Sequence, residues 1–72
     1  MRTFTAYMEY DAESGMYFGI FPGIPGAYTQ GETLDELRAN LKEVLELCLE
    51  ENPQVLEDLP EFIGTTQIQV AV

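Results

Sequence analysis

The stretch from Phe21 to Glu50, FPGIPGAYTQGETLDELRANLKEVLELCLE, leaves the backbone few choices. Pro-Gly pairs stand at Pro22-Gly23 and Pro25-Gly26. Proline presets φ at the first central position of a type II turn and glycine tolerates the positive φ of the second, so each pair predicts a tight turn. Ala27-Tyr28-Thr29-Gln30 then has room for a short strand, which Gly31 ends. Thr33-Leu34-Asp35-Glu36 has the spacing of a capping box, with the threonine hydroxyl on the N3 amide and Glu36 reaching back to the cap. Asp35 and Glu36 also suit the positive end of the helix dipole. Leu34, Leu37, Leu41, Val44, Leu45 and Cys48 recur at three- and four-residue spacing as one apolar stripe. Asn52-Pro53 stops the helix, because a residue before proline is pushed out of the α region. Each local signal agrees with the next, the mark of a specified supersecondary unit.

The flanks read as strands. Thr3 to Tyr10 alternates, with Phe4, Ala6, Met8 and Tyr10 opposite Thr3, Thr5, Tyr7 and Glu9. Asp11 to Gly15 is a polar turn, and Met16 to Phe21 returns to make a hairpin. On that return strand Met16, Phe18 and Ile20 are expected on one face, with Tyr17, Gly19 and Phe21 on the other. Pro53 to Gly64 carries a weaker pattern, a short helical turn or a loop pinned by Val55, Leu56, Leu59 and Phe62. Thr65 to Val72 alternates again, with Thr66, Ile68, Val70 and Val72 opposite Gln67, Gln69 and Ala71, and is expected to be a fourth strand. The order β-β-β-α-β predicts an α+β fold, a two-layer sandwich with one main helix packed on one face of an antiparallel sheet. The opposite face is expected to carry Tyr7, Tyr17, Phe21, Gln67 and Gln69, a mixture suited to cover by another chain.

Composition then narrows the function. A chain of 72 residues buries only about 60% of the surface its unfolded form exposes. Cys48 is the only cysteine and histidine is absent, so neither a disulfide nor a metal cluster is expected to support it. Self-association is the remaining support, and a homo-oligomer is expected. The net charge of −10 comes from 13 acidic residues against three basic ones, Arg2, Arg38 and Lys42. Phosphate binding needs Lys and Arg to displace counterions, so nucleic acid is a poor partner and an anionic membrane no better. A basic protein, or simple solubility, fits such a surface. No apolar leader follows Met1-Arg2, no run approaches a bilayer span, and a lone cysteine fits a reducing compartment, so the chain is expected in the cytoplasm.

Phe21-Pro22-Gly23-Ile24-Pro25-Gly26, Thr29-Gln30-Gly31-Glu32-Thr33-Leu34-Asp35-Glu36, Asn40-Leu41-Lys42-Glu43 and Leu45-Glu46-Leu47 together resemble the HicB antitoxin family, over residues 3 to about 51. The resemblance implies a partial RNase H-like β-β-β-α-β domain spanning residues 1–72. It implies binding to a small basic ribonuclease toxin, blocking of the toxin's active site, and assembly into dimers or larger oligomers. Where many relatives have cysteine after the second Pro-Gly, this chain has Ala27. Full antitoxins also carry a C-terminal helix-turn-helix or ribbon-helix-helix; no basic helix is present here, so operator binding is not carried over.

Catalysis is not expected. Two-metal phosphodiester hydrolysis needs carboxylates converging on ions about 4 Å apart, and the strands offer only Glu9, with Asp11 and Glu13 in the adjoining turn. No histidine base or partnered nucleophile is available, and no cofactor is expected. Cys48 lies on the apolar stripe and reads as core. Tyr7, Tyr10, Tyr17 and Tyr28 lack the basic groove of a base-stacking platform and read as sheet packing or protein interface. Glu43, Glu46, Glu50 and Glu51 crowd the negative end of the helix dipole, several at repelling i, i+3 and i+4 spacings. They form either a solvated helix face or a surface that steers a cationic partner. With Tyr7 and Tyr17 they are the candidate partner-binding residues. The last strand reads as core, or as an edge able to pair with another subunit. The sequence thus points to a non-enzymatic protein-binding module, a HicB-like antitoxin or a stand-alone oligomer of structural or regulatory role.

Overall fold

A computed structural model describes residues 1–72. Its elements are β1 (Tyr7–Asp11), β2 (Met16–Ile20), β3 (Tyr28–Gly31), α1 (Leu34–Glu51) and a 3-10 turn, Pro53–Glu57. The strands form an antiparallel sheet in the order β1-β2-β3. One helix on one side of this sheet gives the α+β sandwich expected from the sequence.

Local chemistry sets each boundary. The β1–β2 turn closes where the Gly15 amide donates to the Asp11 carbonyl at 2.8 Å. Both Pro-Gly pairs turn as expected: the Ile24 amide donates to Phe21 O at 3.3 Å and the Ala27 amide to Ile24 O at 3.1 Å. Gly23 and Gly26 take φ of 85° and 79°, the left-handed values that the second central position of a type II turn requires. The Phe21 amide donates to Ala27 O at 2.9 Å, so the double turn lands β3 beside β2. At the helix start the Glu36 amide donates to the Thr33 hydroxyl at 3.1 Å, the forward half of the capping box. At its end the Asn52 amide donates to Cys48 O at 3.0 Å, and Pro53 begins the 3-10 turn.

Register assigns the faces. Tyr7 pairs with Ile20, Glu9 with Phe18 and Tyr10 with Tyr17 across the hairpin, while Gly19 pairs with Thr29 and Tyr17 with Gly31 across β2–β3. Directly opposed residues share a face, so Met8, Tyr10, Tyr17, Gly19, Thr29 and Gly31 lie on one side. Helix α1 lies over β3 and β2 on that side and leaves β1 uncovered. It can come close because the sheet presents glycine at two of the contact points. A Cβ at Gly19 would stand 2.9 Å from the Leu41 methyls, and one at Gly31 would stand 2.7 Å from the Leu37 amide nitrogen. The buried core is small: Phe21, Ile24, Ala27, Leu37 and Leu41, flanked by half-buried Leu45, Cys48, Val55 and Leu59.

Two expectations are corrected. First, Tyr17 and Phe21 do not lie on the open face with Tyr7; they face the helix, and Phe21 is core. The open face carries Tyr7, Phe18, Ile20 and Tyr28 instead. The larger apolar side chains of β2 had marked the covered face, but close helix packing favours the side bearing glycine. Second, Thr65–Val72 is not a strand of this sheet: it is exposed throughout and pairs with nothing in its own chain. Gln67 and Gln69 accordingly lie outside the sheet. At the other end, Thr3–Ala6 precede β1 without strand pairing. Their partner would have to extend beyond Ile20, where Pro22 turns the chain away.

Candidate functional site

The candidate residues divide between two sides of the molecule. The 3.6-residue period places Glu43, Glu46 and Glu50 on one stripe of α1, opposite the buried Leu37 and Leu41, and all three are exposed. Glu51 is also exposed, and no basic residue stands in the last turn. Glu50 and Glu51 thus stand without a basic neighbour in the last turn, at the negative end of the dipole, and with Glu43 and Glu46 they form an acidic surface suited to a cationic partner. Tyr7 lies on the far side of the sheet. Tyr17 packs between sheet and helix, its ring 4.8 Å from that of Tyr10. A single flat partner cannot touch the glutamates and Tyr7 together.

The open sheet face is the second surface. Tyr7, Phe18, Ile20 and Tyr28 are all exposed there, around a shallow depression of about 230 Å³. Phe62 stands edge-on to Tyr7 at 6.4 Å between ring centroids. Pro60 closes on the Pro22-Gly23 turn so tightly that a Cβ at Gly23 would lie 2.6 Å from its ring. The segment after the 3-10 turn is thus tied to the body as far as Phe62. Sequence reading missed Phe18 and Ile20 as surface residues, and left Tyr28 as sheet packing or protein interface; the signal that locates Phe18 and Ile20 is Gly19 between them, on the helix side, and Tyr28 follows as the partner of Ile20.

A third feature was not foreseen. Because α1 leaves β1 bare, a groove of about 390 Å³ runs between them, floored by Ala6, Met8, Leu41 and Leu45. All three basic side chains, Arg2, Arg38 and Lys42, line it. The i, i+4 spacing of Arg38 and Lys42 could have placed two of them together. The Arg2 guanidinium also sits 5.6 Å from the centre of the Phe4 ring.

Asp11, at the β1–β2 turn, has a perturbed carboxyl. The Ser14 hydroxyl and amide beside it hold its carboxyl below the usual range, with the Ser14 amide at 3.2 Å. This is turn chemistry. No group of three or more His, Cys, Asp or Glu side chains lies close enough to hold a metal ion. No helix is long and apolar enough to cross a membrane.

No family model and no solved structure matches the chain. Curated relatives do. A UPF0150 protein of Thermotoga maritima is 48% identical over 69 residues, 96% of this chain and 91% of that protein. A UPF0150 protein of Synechocystis is 48% identical over 69 residues, 96% of each chain, and one of Archaeoglobus fulgidus is 40% identical over 67 residues, 93% of each. Identity at this level over nearly the whole length places this chain in the UPF0150 family.

Proposed function

We propose that this chain is a non-enzymatic protein-binding module of HicB-like type, acting in the cytoplasm by occluding a small basic ribonuclease toxin. The observation that carries the reading is the exposed stripe of Glu43, Glu46 and Glu50 on α1, with no basic residue in the last turn to neutralise it. A fold keeps mutually repelling charges at the wrong end of a helix dipole at some cost in stability, and a cationic partner recovers that cost. The resemblance of Phe21–Leu47 to HicB antitoxins supplies the class of partner.

The test is purification from native cells at low salt, with the mass of any bound protein determined and its ribonuclease activity assayed with and without this chain. The reading expects a small basic ribonuclease that this chain inhibits and that raised salt releases. Changing Glu43, Glu46 and Glu50 together to glutamine should weaken that complex and flatten its salt dependence. Unchanged affinity would reject the electrostatic role. A chain recovered alone, as an assembly of itself, would favour the stand-alone oligomer; the exposed, unpaired Thr65–Val72 segment is the observation on that side.

A further inference from the structure

We infer that Thr65–Val72 is a strand given in trans, pairing with the free β1 edge of a second copy of this chain; the inference holds with or without a toxin. The segment has the chemistry of a strand. It alternates strictly, contains no charge between Phe62 and Val72, and places Ile68 and Val70 on one side, 77% and 70% exposed. A long, uncharged, apolar strand left in water is an aggregation hazard that folded proteins pair or cover. Here nothing in the same chain does so.

The size of the molecule points the same way. A folded monomer of 8.1 kDa is expected to expose about 4500 Å², whereas this chain exposes 6100 Å². Its radius of gyration is 13.9 Å against about 11 Å for a compact chain of this length. The excess of roughly 1600 Å² is ample for one partner's share of a standard interface, about 800 Å².

Of the two sheet edges, β1 is the freer to receive it. At the β3 edge, Asn40 Nδ2 on the helix donates to the Gln30 carbonyl at 2.8 Å. The β1 edge pairs with no strand on its outer side and borders the groove, with Leu59–Phe62 of the same chain reaching only its start, beside Thr3–Tyr7. A strand added there sends alternate side chains to the two faces. Ile68 and Val70 would enter the groove against Met8 and Leu41, completing the layer under the helix, while Gln67 and Gln69 would join the open face. Eight residues at about 3.3 Å each span roughly 26 Å, enough to run the length of β1.

The charge pattern favours a second copy as the occupant. Two chains of net charge −10 repel unless the contact itself is complementary. The groove holds every basic side chain the chain has, and Glu57, Asp58 and Glu61 lead into the tail that would fill it. Gly64, at φ 143°, lies just beyond the anchored Phe62 and supplies the swivel by which the tail leaves its own body. Exchange of an identical element between identical chains needs no surface beyond these two.

Light scattering on the full chain from about 1 to 200 μM should show a dimer or a multiple of one; a monomer throughout overturns the inference. Val70→Lys in the tail and Met8→Lys in the groove should each weaken assembly at least tenfold while far-UV circular dichroism stays unchanged. Assembly indifferent to either overturns it. Should a variant fail to fold, amide exchange on the unmodified protein decides. Tail amides from Thr66 to Ala71 should be protected at high concentration and lose protection on dilution. Protection in a sample that light scattering finds monomeric would mean pairing within one chain, and no protection at any concentration would mean no pairing; either result rejects exchange.

Discussion

Replacing Gly31 by alanine should be among the most damaging single-methyl additions to this protein. A Cβ there would stand 2.7 Å from the Leu37 amide nitrogen, 3.0 Å from Leu37 Cα and 3.1 Å from the Glu36 carbonyl carbon. All three obstacles are helix backbone, which has no rotamer to escape into. Ordinary contact begins near 3.4 Å, so α1 would have to retreat by about 0.7 Å. A gap of that size forfeits a quarter to a half of each dispersion contact beneath the helix. Overpacking costs about 1–3 kcal/mol, and the upper end applies where only backbone can move. Gly19→Ala is the control. Its Cβ would meet the Leu41 methyls at 2.9 Å, a side chain that can turn aside, and alanine recovers about 0.4–1 kcal/mol by restricting the unfolded chain. A net loss near 1 kcal/mol is expected there.

At about 4–8 °C per kcal/mol for a domain of this size, Gly31→Ala should lower the melting midpoint by roughly 12–24 °C and Gly19→Ala by about 4–8 °C. Circular dichroism at 222 nm reads both, at one fixed protein concentration, because self-association would make the midpoint concentration-dependent. Trimming Leu41 to alanine should relieve most of the added strain of Gly19→Ala and none of that of Gly31→Ala, a difference a double-mutant cycle isolates. If Gly31→Ala melts within a few degrees of the parent, or Gly19→Ala costs more, then close helix approach is not what selects glycine at these positions.

Leu37 is fully buried, so Leu37→Ala should cost about 2–5 kcal/mol, a large share of the roughly 4–11 kcal/mol available to 72 residues; urea titration reads the loss. Thr33→Ala removes the helix cap and should cost about 1 kcal/mol, whereas Thr33→Ser should restore most of it in the same titration. Asp11 has a folded pKa below its usual value near 3.8, so its contribution to the hairpin is complete above that pH and fades as pH falls through the folded value. Carbon-13 titration should find its midpoint below the ordinary aspartate range, and Ser14→Ala should move it up; an unmoved midpoint would reject the turn hydrogen bonds as the cause. Glu50→Gln removes an unfavourable dipole interaction and an i, i+4 repulsion with Glu46, and should raise the stability of the free chain by on the order of a few tenths of a kcal/mol.

What could be read from the sequence was what depends on near neighbours. The Thr33 cap, the Asn52-Pro53 stop and both Pro-Gly turns follow from the chemistry of four or five consecutive residues, and each formed where expected. Face assignment required knowing which side of β2 the helix would choose. That choice rests on Gly19 and Gly31, whose missing side chains carry no hydrophobic signal but set the distance of approach. Counting apolar bulk therefore put Phe18 and Ile20 inside and Tyr17 outside, the reverse of the packing. The Thr65–Val72 segment fails differently. Its period-two pattern is a statement about pairing, and a sequence states pairing without stating whose strand is the partner. A single copy leaves that strand bare, leaves β1 without a neighbour on its outer edge, and gathers its few basic side chains beside the gap. The acidic stripe of α1 faces away from this gap, so a chain whose groove is filled by a second copy would still present Glu43, Glu46 and Glu50 to a cationic partner. Self-assembly and partner binding thus call on separate surfaces, and substitutions at Val70 and at Glu46 should affect one without the other.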